Sequence, residues 1–297
     1  MQKFNQIQEN INLKNYTTIK VGGISNYFAE PSNIEEFINL LKWAKSKNCQ
    51  CLILGAGSNT LIKNINIKKL TICTRNMNKV KIEPKTGLIY AQSGALLSKL
   101  STLLAQNHFT GGEWTIGIPG TIGGAIYMNA GAGKYSISDN LKSVKVIDPD
   151  TLNTFVLSKN EINFEYRFSS FQLSQLIILE AKFYFWKKGN KEKILEKTKS
   201  IIYERKKQQP YHLPSCGSVF KNPISNYAGK LIEESGLKGV SIGGAEISTM
   251  HANFIVNKNS ASSEDVFSLI ILIQKKVLQK TGILLHPEVR MIGFDYP

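Results

Sequence analysis

Cysteine is scarce and unpaired in this 297-residue chain. Cys49, Cys51, Cys73 and Cys216 form no C-x-x-C pair, and the histidines at 108, 212, 251 and 286 show no H-E-x-x-H or finger spacing. These absences argue against zinc, and no metal site is expected. The cysteines read as reduced thiols, with Cys216 in a polar loop. No run approaches the ~20 apolar residues of a membrane span. The N-terminal stretch MQKFNQIQENINLKN lacks the apolar core of a secretory leader. A cytoplasmic location with no membrane partner is expected.

Arginine is also scarce. Arg75, Arg167, Arg205 and Arg290 stand against 33 lysines. The balance of 37 basic and 22 acidic residues gives +15, which can mark a nucleic-acid binder. Here the lysines scatter among Asn and Ile, whereas nucleic-acid sites favour the bidentate fork of arginine. No nucleic-acid partner is expected, and the few arginines mark places where a planar fork is needed. Internal repeats and low-complexity segments are absent too. Hydrophobic residues at 42% and charged residues at 20% describe an ordinary globular chain, long enough for two or three lobes.

Periodicity predicts a helix opened by the capping-box spacing Ser32–Glu35 and buried through Phe37, Leu40, Leu41 and Ala44. Strands are expected at Leu52–Leu54, Leu70–Thr74, Leu88–Ala91, Ser143–Ile147 and Leu176–Phe185, and a second helix at Ala95–Gln106. A charged helix, Lys191–Gln208, should end before Pro210 at a domain boundary. Beyond it follow a polar loop Leu213–Pro223, a helix Ala228–Ser235 and a strand at Phe254–Val256. A helix Ser263–Lys280, capped by Ser262 and stopped by Gly282, and a strand Glu288–Ile292 close the chain. A β-α-β start followed by strand-rich sequence favours α+β over a doubly wound sheet.

Two glycine loops lie about sixty residues apart: Gly55-Ala56-Gly57-Ser58-Asn59-Thr60 and Gly117-Ile118-Pro119-Gly120-Thr121-Ile122-Gly123-Gly124. The first is no Rossmann fingerprint, because Thr60 stands where a third glycine or alanine belongs and little helix character follows. Each loop is either a tight turn or a nest of amides that holds an anion. With Asn59 and Asn129 as polar anchors, the pair looks like one ligand held from two sides. Tyr166-Arg167-Phe168 sets an arginine among aromatics, as a structural clasp or as a desolvated fork for a carboxylate. Pro214–Pro223 holds Ser218, Lys221 and Asn222 in a glycine turn without a histidine to activate a nucleophile. Ser218 is then a turn serine or a proton donor. Glu288 and Arg290 share one strand face, as a surface ion pair or a functional couple, while Val289 and Met291 point to the core.

Taken in order, VGG (21–23), LGAGSN (54–59), GIPGTIGGAIYMNAGA (117–132), YRFSSF (166–171), PSCGSVFKNP (214–223), AGKLIEESGLKG (228–239), GGAEIS (243–248) and HPEVRMIG (286–293) resemble the UDP-N-acetylenolpyruvoylglucosamine reductase (MurB) family over nearly the whole chain. NYTTIKVGG departs mildly, since family members often have arginine or asparagine in that stretch. The 51-position interval from Arg167 to Ser218 is similar to the type II branch.

The resemblance implies an α+β protein. Residues 1–189 would form an FAD-binding lobe of the vanillyl-alcohol-oxidase (PCMH) type with two subdomains, and 190–297 a C-terminal α+β substrate lobe. It implies noncovalent FAD, with NADPH as hydride donor and UDP-N-acetylglucosamine enolpyruvate as substrate in peptidoglycan precursor synthesis. A monomer is expected. Gly55, Ala56, Gly57, Ser58, Asn59, Thr60, Gly117, Ile118, Pro119, Gly120, Thr121, Gly123, Gly124 and Asn129 would hold the flavin. Arg167 and Glu288 would stabilise charge developing on the substrate carboxylate, Glu288 carrying or sharing a proton, and Ser218 would protonate the α-carbon. Tyr166, Lys221 and Asn222 would contact substrate. The rival reading is a sugar or alcohol oxidase of the same flavin fold.

Overall fold

The first helix starts one residue later than the capping-box spacing suggests. In the computed structural model, which describes residues 7–185 and 187–296, α1 spans Ile34–Ser46. Its cap is Asn33, whose side chain accepts from Glu36 N, while Ser32 N donates to the Glu36 carboxylate at 2.7 Å. Residues 1–6, where the segment read as lacking a leader begins, lie outside this description.

Contacts divide the chain into two compact units that are not consecutive segments. One comprises Met1–Glu9, Tyr27–Ala56 and Lys68–Glu204; the other comprises Asn10–Asn26, Gly57–Ile67 and Arg205–Pro297. A single cut between 189 and 190 would assign Asn10–Asn26 and Gly57–Ile67 to the first lobe, whereas compactness assigns them to the second unit.

The first unit is mixed α+β with two hydrophobic cores. A five-stranded antiparallel sheet runs Thr154–Ser158, Leu141–Ile147, Ile177–Tyr184, Leu88–Gln92, Val80–Glu83 in spatial order. One core joins it to α2 (Leu97–Gln106) and α3 (Ile122–Tyr127) through Leu100, Leu104, Ile122 and Ile126. The other joins α1, through Phe37, Leu40, Leu41 and Ala44, to Leu70 and Ile72 of the strand Asn66–Cys73, which pairs in parallel with Cys51–Leu54. A register shift between Lys145 and Val146 leaves Leu179 as an extra residue. Such a bulge flips side-chain parity. Ile177 and Leu179 thus face the second core, while Ile178, Ala181 and Phe183 face the first. The helix expected from Ala95 starts at Leu97, because Ala95 O instead accepts from Ile122 N.

α4 (Lys191–Gln208) is the charged helix foreseen before Pro210. In the second unit a four-stranded antiparallel sheet runs Ser215–Ser218, Phe254–Asn257, Ala245–Ile247, Ser241–Ile242. α5 (Ala228–Glu234) and α6 (Ser263–Thr281) supply Leu231, Ile232, Leu269, Ile270 and Ile273 to its core. As expected, Ser262 caps α6, with Asp265 completing a capping box, and Gly282 ends it.

Two expectations fail here. The segment read as a polar loop contains the strand Ser215–Ser218, and Cys216 is 1% exposed within the core. Burial raises its thiol pKa to about 12, which makes it unreactive. The last strand begins at Arg290, after Glu288, and pairs in parallel with Thr60–Ile62. Val289 is buried as expected, and Met291 packs partly against the core.

Candidate functional site

In the first unit Gly55, which opens the first glycine loop, meets Thr121 of the second. A Cβ on Gly55 would lie 2.5 Å from Thr121 Oγ1, so only glycine permits this approach. Thr121 caps the six-residue α3 by accepting from Gly124 N. The amides of Ile122 and Gly123 are committed to Ala95 O and Ser93 O, so a ligand here would rely on loop backbone rather than on the helix end. Arg75, unassigned from sequence, donates from Nη2 to Ala56 O at 2.9 Å and fixes the first loop. Two buried polar atoms beside the second loop have no hydrogen-bond partner among the described residues: Ser93 Oγ and Asn129 Oδ1. Buried polar atoms are ordinarily satisfied. A polyhydroxylated, phosphate-bearing ligand such as FAD fits that need, and the glycine loops fit its close approach.

Arg167 sits at the end of a two-residue turn between the paired strands Phe164–Glu165 and Phe168–Ser169. Its φ of 56° is uncommon outside glycine and asparagine. The guanidinium lies over the Tyr166 ring, 5.0 Å from the centroid, and Nη2 donates to Gly131 O at 3.1 Å. Tyr166 itself is exposed. The turn is fixed from α3 and the residues after it. Ser169 Oγ and Gln172 Nε2 both donate to Tyr127 O, Gln172 Nε2 also reaches Arg167 O, and Asn129 Nδ2 donates to Glu165 O at 2.8 Å. Asn129 thus has one amide atom on the Arg167 hairpin and the other unpartnered.

The second unit brings Ser218 and Glu288 onto neighbouring segments. Glu288 N donates to Val219 O at 2.7 Å, and Lys221 N donates to His286 O at 2.9 Å. Asn59 joins this arrangement: its Nδ2 donates to Glu288 O, and its carbonyl accepts from Arg290 N. Gly57 O accepts from Thr18 N, and Thr18 Oγ1 donates to Ser215 O at 2.6 Å. Between Ser215 and Ser218 the register slips against Val256 and Phe254, and Gly217 takes a φ of 78° in the slip. That bulge re-aims the residue that follows it, Ser218. Lys221 is half-buried. Asn222 Oδ1 accepts from Ala228 N at 3.0 Å and tethers the start of α5. Arg167 belongs to the other unit.

Sequence reasoning missed Ser93, Arg75, Thr18 and Asn253. Only Arg75 gave a local signal, as one of four arginines. Among the described residues, no group of three His, Cys, Asp or Glu side chains could hold a metal, and no helix is long and apolar enough to cross a membrane.

A two-core α+β unit with paired glycine loops and unsatisfied buried polar atoms beside them defines an FAD-binding protein, and residues 25–152 match the family model of the FAD binding domain. Residues 209–292 match the model described as "UDP-N-acetylenolpyruvoylglucosamine reductase, C-terminal domain". A reductase of that name from Prochlorococcus marinus subsp. pastoris is 58% identical over 98% of this chain and 98% of its own. One from Prochlorococcus marinus strain MIT 9313 is 42% identical over 96% and 93%. The crystal structure of the reductase from Thermus caldophilus superposes with a TM-score of 0.79 at 31% identity, over 95% of this chain and 97% of that one. The chain belongs to the UDP-N-acetylenolpyruvoylglucosamine reductase family.

Proposed function

We propose that this chain reduces the enolpyruvyl group of UDP-N-acetylglucosamine enolpyruvate to UDP-N-acetylmuramate. It would do so as a cytoplasmic, monomeric, type II enzyme of peptidoglycan precursor synthesis, with NADPH as reductant. The observation that carries the reading is the backbone bond from Glu288 N to Val219 O, which sets a carboxylate and the Ser218 hydroxyl on adjoining segments. The names of relatives covering almost the whole chain support it.

FAD, bound noncovalently in chain positions before 190, would supply hydride to the β-carbon of the substrate double bond. Gly55, Ala56, Gly57, Ser58, Asn59 and Thr60 would hold it from one loop. Gly117, Ile118, Pro119, Gly120, Thr121, Gly123, Gly124 and Asn129 would hold it from the second, with Ser93 Oγ as a further contact. Residues beyond 190 would supply most of the sugar-nucleotide contacts, Lys221 and Asn222 among them, with Tyr166 joining from the earlier part of the chain. As hydride arrives, negative charge gathers on the substrate carboxylate. The Arg167 guanidinium and Glu288 would stabilise that charge where it develops. The Ser218 hydroxyl would give its proton to the α-carbon as general acid.

Turnover tests this reading. NADPH oxidation should require the enolpyruvyl sugar nucleotide and consume little oxygen. Oxygen-dependent, sugar-independent turnover would instead identify an oxidase.

A further inference from the structure

The strand that presents Ser218 stops at Ser218, so what holds the next residues decides where the hydroxyl points. Phe220 is fully buried, and beyond the end of a ladder its amide and carbonyl need partners. Asn253 supplies both. Its Oδ1 accepts from Phe220 N and its Nδ2 donates to Phe220 O, each at 2.9 Å, while its own carbonyl accepts from Val219 N at 2.8 Å. One buried side chain thus imitates an adjacent strand. On the other side of the same segment, Val219 O accepts from Glu288 N. The Asn253 backbone is fixed in turn, because its N–H donates to His251 Nδ1 at 3.2 Å. That bond requires an unprotonated Nδ1, and burial of His251 lowers its pKa toward the neutral ring.

We propose that Asn253 is a positioning residue for the protonation step: it clamps Val219–Phe220 so that Ser218 and Glu288 keep a fixed mutual register. The proposal rests on the role given to Ser218 above. Three bonds from one residue to two consecutive backbone units leave that segment little freedom. Asn is suited to the place because only a side-chain amide offers one donor and one acceptor at the spacing of a peptide group. Without that side chain Phe220 loses two bonds, and the segment keeps only the backbone bond from Val219 N to Asn253 O, the Ser218–Phe254 pairing and the bonds to Glu288 and His286. A displacement of about 1 Å at a reacting group can cost roughly 100-fold in rate.

The test uses flavin-loaded enzyme, with both half-reactions followed anaerobically per bound flavin. Asn253→Ala should leave flavin reduction by NADPH unchanged and slow reoxidation by the enolpyruvyl sugar nucleotide roughly 10- to 100-fold. Asn253→Ser keeps a hydroxyl able to make one of the two bonds and should fall between alanine and wild type. Added to Ser218→Ala, the alanine change should cost clearly less than it does alone, because one of the two groups it positions is already gone. Without any ligand, amide hydrogen exchange in Asn253→Ala should speed up at Val219–Lys221. The proposal is overturned if Asn253→Ala reoxidises normally while Ser218→Ala is slow, an outcome that leaves the serine's role intact. It is overturned too if the double variant loses rate additively, or if every Asn253 variant fails to hold flavin, since Asn253 would then serve the fold alone. If Ser218→Ala itself reoxidises normally, the proposed role of the serine falls and this proposal falls with it.

Discussion

The Arg167 turn and the Ser218 strand place their side chains by opposite means. At the turn the functional residue itself adopts the rare conformation, φ 56°, and bonds to the α3 region hold the hairpin at its edges, from Asn129 Nδ2 to Glu165 O and from Ser169 Oγ to Tyr127 O. At the strand the rare conformation falls to a neighbour, Gly217, and Ser218 stays in the ladder opposite Phe254. A non-glycine residue in the left-handed region costs about 1–2 kcal/mol. Strain kept in that way is a mark of function when the surroundings enforce it. The two designs predict that the turn can be relaxed without loss of fold, whereas the strand cannot.

The largest effect should come from the strand's own hydroxyl. Ser218→Ala should leave flavin reduction by NADPH unchanged and slow reoxidation by the enolpyruvyl sugar roughly 10²–10⁴-fold, the range of a lost general acid. Equal slowing of both half-reactions in stopped-flow absorbance would show Ser218 to be a support. Next comes Arg167→Lys, which keeps the charge and loses the planar fork. Turnover should fall roughly 10- to 1000-fold; near-normal steady-state rates would leave Arg167 as a clasp on Tyr166 and Gly131.

The third experiment sets the two designs against each other in stability. Gly217→Ala should destabilise by about 1–2 kcal/mol through backbone strain alone, since the nearest atom to an added Cβ is Ser58 O at 3.8 Å. Arg167→Gly should change stability by less than about 1 kcal/mol, because relief of strain offsets the lost bond to Gly131 O, yet turnover should fall roughly 100- to 1000-fold. Urea denaturation of both variants checks the contrast, and equal losses would erase it.

The helices were legible in the sequence because their signals are local. Phe37, Leu40, Leu41 and Ala44 all lie in the core, and Ser262 and Gly282 bracket α6. Ser32 and Asn33 are both good caps, and only the tertiary path of the chain selects Asn33. The strand Ser215–Ser218 was illegible because Ser-Cys-Gly-Ser has no β-branched or aromatic residue. It is a strand by virtue of its pairing with Phe254–Asn257, some forty residues away. Arg167 stood out by scarcity. Arg75 had the same signal, but only the fold shows that it grips Ala56 O.

The smallest effect on turnover lies away from both regions, at Glu113, a buried carboxylate in the first unit. Burial pushes its pKa up, but hydrogen bonds from Thr110 and Gly111 outweigh that, with Lys197 3.6 Å away, and the net shift is downward. A lowered folded-state pKa adds stability above the ordinary carboxylate value of about 4.5, and this is lost as pH falls below it. Glu113→Gln should thus cost about 1–2 kcal/mol at pH 7, with the gap to wild type narrowing below pH 4.5 in urea titrations and both half-reactions unchanged. A gap that widened in acid would reverse the sign argued here.

The central claim is that reducing equivalents pass from NADPH through bound flavin to the enolpyruvyl sugar nucleotide. Anaerobic stopped-flow absorbance of the wild-type protein tests it most directly. NADPH should bleach the visible flavin band, and UDP-N-acetylglucosamine enolpyruvate added afterwards should restore it in full without oxygen. A band that stays bleached with the sugar nucleotide and returns only when air is admitted would contradict the account.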